Sequence, residues 1–177
     1  MAVVEKLFRA GLALVILCFY TVQAIKDVNI KELNCDYNSE RVNNVTCKIL
    51  ETGVRRHMDF SVTLLKDVVD VIAHVEIIKN DGGRLIPLVN ITDDFCKFMA
   101  GSSSSFYLDL LMKMLRDQSN INHACPYKGY LYATGINPDP QLIPSGIPVG
   151  EYIFNIRLYE YKPENFLGKI KAVVDFL

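Results

Sequence analysis

Tyr152-Ile153-Phe154-Asn155-Ile156-Arg157-Leu158-Tyr159 is the stretch whose reading decides the fold. Tyr152, Phe154, Ile156 and Leu158 take every second position, while Asn155, Arg157 and Tyr159 hold places between them. A repeat of two belongs to an extended strand with one face in a core and one nearer water. A helix would set its apolar residues three and four apart instead. Working outward, the same repeat returns in Met58, Phe60, Val62 and Leu64, and in Val69, Val71, Ala73, Val75 and Ile77. It returns again in Phe166, Gly168, Ile170, Ala172, Val174 and Phe176. Val28 to Cys35, Val45 to Leu50, Arg84 to Val89 and Tyr130 to Thr134 are weaker strand candidates.

The connections suit hairpins. Asn80-Asp81-Gly82-Gly83 supplies residues that tolerate positive φ, Lys66-Asp67 separates two more runs, and Pro163-Glu164-Asn165 separates the last two. Asn137 to Gly150 carries Pro138, Pro140, Pro144 and Pro148, which excludes a central strand and predicts a stiff, shaped loop. Seven or eight short strands with turn signals predict a mostly β chain, an antiparallel β-sandwich.

One segment breaks the pattern. From Phe106 to Arg116 the apolar residues recur at helical spacing, with Ser104 or Ser105 placed to cap the start. Asp109 and Lys113, four apart, predict an ion pair. Asp93 to Met99 predicts a shorter helical turn. Phe106, Leu110 and Met114 fall in one row of the longer helix, and Leu108, Leu111, Met112 and Leu115 widen it. Such a helix either packs on a sheet edge or lids a cavity between the sheets. Its methionines, with Met99 nearby, suit a partner that changes shape. The residues expected to line such a cavity are Phe60, Val62, Val71, Val75, Phe106, Leu110, Leu111, Met114, Phe154, Ile156 and Ile170.

Residues 1–24 read as a secretory signal: Lys6 and Arg9, an unbroken apolar run from Ala10 to Tyr20, then Val22-Gln23-Ala24. The run is shorter than the ~20 apolar residues of a spanning helix. Residues 25–177 are then expected to form a single domain without a stable membrane anchor, secreted and extracellular. Cys18 leaves with the signal, and Cys35, Cys47, Cys96 and Cys125 remain as an even set for an oxidising compartment. Of three connectivities, Cys35–Cys47 with Cys96–Cys125 closes two local loops, worth roughly 3–4 kcal/mol each in the chain-entropy model. Cys96–Cys125 would then bracket the helix, so its loss is expected to cost ligand retention more than loss of Cys35–Cys47. Asn44-Val45-Thr46 and Asn90-Ile91-Thr92 are glycosylation sequons in exposed settings.

A formal net charge of −1 gives nucleic acid no basic footprint. No GxSxG elbow, HExxH pair or phosphate-cradling loop is present in the sequence, so no catalytic residue and no cofactor are expected. His57 and His74 fall on outward strand positions, and His123 next to Cys125 lacks the spaced partners of a zinc site, so no metal is expected. Asp93-Asp94 is adjacent and splits between a helix start and solvent, rather than forming a facing pair.

Asn90-Ile91-Thr92-Asp93-Asp94-Phe95-Cys96-Lys97-Phe98 and Ser119-Asn120-Ile121-Asn122-His123-Ala124-Cys125-Pro126-Tyr127 carry a family resemblance. With Cys35, Cys47 and Pro148-Val149-Gly150-Glu151-Tyr152, the chain resembles a large insect group of small secreted proteins long labelled a domain of unknown function. That group is similar to the ML lipid-recognition superfamily, which includes the ganglioside activator protein and a lysosomal sterol carrier. The resemblance implies an ML-like, two-sheet immunoglobulin-like sandwich whose sheets part around an acyl chain or sterol. Some members of the group are similar to gustatory chemosensory proteins.

Two functions follow as expectations. One is a non-enzymatic binder or presenter of a small hydrophobic ligand (lipid, sterol or pheromone-like), with a cell-surface receptor as a further partner. The other is an extracellular protein-interaction module with a filled core, using the outward Tyr159 and Tyr161.

Overall fold

The computed structural model describes residues 25, 27–53, 55–144, 146–161 and 165–177. The signal reading at 1–24, and Pro163 and Glu164 of the last turn, lie outside the described residues. The elements run β1 (Val28–Tyr37), β2 (Val42–Thr52), β3 (Arg55–Leu64), β4 (Ile72–Asp81), β5 (Arg84–Asp94), α1 (Phe95–Met99), α2 (Phe106–Leu115), β6 (Tyr130–Ile136), β7 (Gly150–Tyr159) and β8 (Phe166–Phe176). They form two sheets, ordered β1-β8-β7-β4-β5 and β2-β3-β6, with every pairing antiparallel. The antiparallel sandwich expected from the repeat of two is the observed architecture.

Register fixes which side chains face the other sheet. Val75 is level with Ile156, Ile156 with Ile170, and Ile170 with Cys35. Residues opposite each other in an antiparallel ladder share a face. Neighbouring rows on this face are Ile77-Phe154-Ala172-Leu33 and Ala73-Leu158-Gly168-Tyr37. Gly168 fits closely there: a Cβ would lie 3.3 Å from the Asp36 carbonyl of β1, tighter than most side-chain contacts. On the second sheet Cys47 pairs with Phe60, and Phe60 with Ala133.

Two bulges change the parity of the chain. In β1 the register shifts between Ile30 and Glu32, so Val28 and Ile30 face inward before it, and Leu33 and Cys35 after it. In β2 the shift lies between Asn43 and Thr46, so Val42 is followed inward by Cys47 and Ile49. The β4–β5 turn forms as expected. Gly82 and Gly83 take positive φ, and the Gly83 amide donates to Asn80 Oδ1 at 2.9 Å.

The core is one continuous buried cluster. At one end the rings of Tyr152, Phe176 and Phe154 pack in tilted contact, with centroids 4.8 and 6.3 Å apart along the series. At the other, Val68, Val71, Phe95, Cys96 and Tyr127 meet Leu108, Met112 and Leu115 of α2. Three details differ from the expected pattern. Val69 is 58 % exposed, because β4 begins only at Ile72; Val68 is buried instead, bridged to Tyr127 by two backbone hydrogen bonds of 2.9 Å. Ser105 is the N-cap of α2 by position, but its hydroxyl is turned to Asp93 and caps no amide. The helix buries Leu108, Met112 and Leu115, not the row through Phe106, which is 62 % exposed. Apolar residues surround this helix almost completely, so its own periodicity selects no face; its packing against β6 and the Pro140–Leu142 turn does. The Asp109–Lys113 ion pair is present at 2.8 Å.

Candidate ligand-binding site

The expected cavity residues separate into three groups. Phe60, Val71, Phe154 and Leu111 belong to the continuous core or pack against it. Val62, Val75, Ile156 and Ile170 stand apart from that cluster, although Val75 is itself buried and the other three are half-buried. Phe106, Leu110 and Met114 lie on the remaining side of α2, Phe106 exposed with its ring edge-on to Tyr107 at 5.3 Å. Val75, Ile156 and Ile170 therefore form a row across the middle of the larger sheet, between the aromatic end and the Phe95–Tyr127 end.

One side of that row is closed covalently. Cys35 is level with Ile170 and Cys47 with Phe60, and the two cysteines are bonded with Cα atoms 6.2 Å apart. The bridge thus joins the two sheets at the level of the row. The sequence reading has Cys35–Cys47 close a local loop and does not show this position between the sheets. The cause is the pair of bulges in β1 and β2, which hide the parity that brings Leu33, Cys35 and Cys47 inward.

The second bridge, Cys96–Cys125, has Cα atoms 5.5 Å apart. It ties α1 to the segment before β6. Asp94 Oδ1 caps α1 by accepting from the Lys97 amide at 2.9 Å. Burial works against the Asp94 carboxylate, yet the Lys97 amide and ammonium hold it below its usual range. Beside the bridge, Tyr127 is buried, with its hydroxyl 2.9 Å from the Ile121 carbonyl and 2.6 Å from that of His123. Burial pushes this phenol up to about 12, so it stays protonated.

His123 and His74 have local neighbours. His123 Nδ1 donates to the Ala124 carbonyl at 2.7 Å, and its ring lies 4.8 Å from that of Tyr127. His74 Nδ1 is 2.9 Å from Thr92 Oγ1, and Nε2 is 3.5 Å from Glu76 Oε1. Among the described residues no group of three or more His, Cys, Asp and Glu is placed to hold a metal ion. Among those residues, too, no helix is long and apolar enough to cross a membrane. A small polar cleft of about 140 Å³ at one end of the sandwich is lined by Asn29, Glu51, Gly53, Arg55 and Arg56. Arg56 is already committed there, to Glu51 at 2.7 Å and to the Ile30 carbonyl at 3.2 Å. Among the described residues, the facing sides of the two sheets are lined mainly by apolar side chains.

No curated protein matches the chain. Among solved structures, the crystal structure of chicken MD-1 complexed with lipid IVa is similar at 13 % identity and a TM-score of 0.37, over 84 % of this chain and 96 % of that one. Residues 73–154, which run from β4 through both cysteine motifs into β7, match the family described as a protein of unknown function, DUF1091.

Proposed function

We propose that the protein is a secreted, non-enzymatic binder of a small hydrophobic ligand, which it holds between its two sheets and presents to a receptor, in a chemosensory setting for a pheromone-like ligand. The observation that carries this is the row Val75-Ile156-Ile170 on the inward face of the larger sheet, with Val62 on the smaller one. These residues face inward yet stand outside the continuous core. The Tyr152–Phe176 pair and the buried residues of α2 lie toward opposite ends of the sandwich, on either side of that row. A site with so few polar groups retains its ligand by burial, at ~25 cal/mol per Å² before association costs.

Mass spectrometry of an organic extract of the native protein is the test, with uptake of a fluorescent fatty acid or sterol as its second arm. A co-purifying lipid or saturable uptake is expected; finding neither would end this reading. An interaction module with a filled core would then account for the chain, with Tyr161, 67 % exposed, as the most accessible aromatic among the described residues.

A further inference from the structure

Four strands end the two sheets: β1 and β5 on the larger, β2 and β6 on the smaller. An open strand edge is a template for pairing with another chain, so its cover needs an account. At β6 the chain itself supplies the cover. The Asn120 amide donates to the Tyr132 carbonyl at 3.2 Å, and the Thr134 amide to the Gln118 carbonyl at 2.9 Å. The Asn120 side chain adds a donor to the Tyr130 carbonyl and an acceptor for the Tyr132 amide, both at 2.8 Å. Strands β1 and β2 are tied to each other across the two sheets by Cys35–Cys47, a bridge that leaves the outer backbone edge of each without a paired strand among the described residues. Strand β5 has no such bridge. Among the described residues nothing pairs with it on the side away from β4, and Leu85 and Leu88 are 57 % and 51 % exposed.

The first half of β5 carries its own obstruction: Pro87 lacks an amide hydrogen, and the register shifts beside it. The second half is regular. Val89 to Asp94 pairs residue for residue with Ile77 to Ile72, without interruption. Asn90 sits in this half, exposed, opposite Glu76 and so on the outward face of the sheet. It opens the sequon Asn90-Ile91-Thr92.

We propose that a glycan on Asn90 is the cover of the β5 edge, keeping the protein monomeric by blocking edge-to-edge pairing along Leu88–Thr92. A branched glycan at this position overhangs the regular half of β5 and the exposed leucines beside it. The inference rests on passage through a secretory pathway, but not on the ligand.

The full chain, secreted from eukaryotic cells, provides the test. Peptide mass spectrometry should find Asn90 modified, and sedimentation should find a monomer. Removing glycans from the folded protein with a peptide-N-glycosidase should strengthen self-association at least tenfold, as should Asn90→Gln. Asn44→Gln should not, and Leu88→Lys added to Asn90→Gln should restore the monomer. Unmodified Asn90 in secreted protein overturns the proposal and leaves secretion standing; a chain that is not secreted overturns both. A deglycosylated protein that stays monomeric, or association that survives Leu88→Lys, also overturns it. Poor secretion of Asn90→Gln leaves the decision to the enzymatic arm.

Discussion

Leu108 is fully buried at 0 % exposure, while Phe106, two residues away on the same helix, is 62 % exposed. Leu108→Ala should therefore cost about 2–5 kcal/mol, from lost burial and the cavity left behind. Phe106→Ser should stay within about 0.5 kcal/mol, because an exposed side chain lacks those terms. Urea unfolding of the two variants checks the contrast; equal losses would mean that α2 packs by another face. Glu151 tests the charges at this scale. Hydrogen bonds from Lys31 at 2.9 Å and Asn80 at 2.6 Å, with the Lys31 charge, hold its carboxyl below the usual value of 4.5. A depressed carboxylate contributes stability that is complete above its unfolded value and lost as pH falls through its lower folded value. Glu151→Gln should therefore unfold at a temperature closer to wild type at about pH 3 than at about pH 6. Thermal melts at the two pH values read this out, and a constant gap would remove Glu151 from the acid response. Both partners face solvent, so the effect should be small and screened by salt.

At the scale of elements, the two disulfides are not equivalent. Sequence reasoning gave the larger part in ligand retention to Cys96–Cys125, because it brackets α2. The register instead puts Cys35–Cys47 level with Ile170 and Phe60, at the row itself. The bridges are worth roughly 3–4 kcal/mol each in the chain-entropy model, so single losses should leave the domain folded to a similar degree. At matched folding, the Cys35→Ser/Cys47→Ser double variant should release a bound fluorescent fatty acid at least as fast as Cys96→Ser/Cys125→Ser. Slower release from the first variant would return the gating role to the bridge beside α2. The same bulges explain why this was not legible beforehand. A period-two reading of β1 runs Val28, Ile30, Glu32, and the inserted residue then turns Leu33 and Cys35 inward. The strands without such shifts, β7 against β4 above all, were legible directly from alternation.

On the scale of the whole molecule, a ligand held by burial alone has a recognisable signature. Each methylene entering the space between the sheets contributes about 0.8 kcal/mol. Affinity for a series of fatty acids should then rise roughly fourfold per carbon until the space is full. Calorimetry or probe displacement measures this, and an affinity independent of chain length would contradict a tail-binding interior. Ile156→Lys, charging the centre of the row, should abolish binding while the α2 end of the core stays folded. The sequence by itself determined the strands, the turn at Gly82-Gly83 and the two helices, and favoured one of three cysteine pairings, the one the structure holds. Those features rest on local periodicity, backbone preference and chain separation, all written along the chain. It also narrowed the interior to a set of apolar positions. Only the tertiary structure divided that set into Phe154 and Val71 in the continuous core, Val75, Ile156 and Ile170 in a row apart from it, and Phe106 on the surface. The physical reason is that burial is a property of what packs opposite a residue, and a bulge or an all-round apolar helix leaves that choice to the partner.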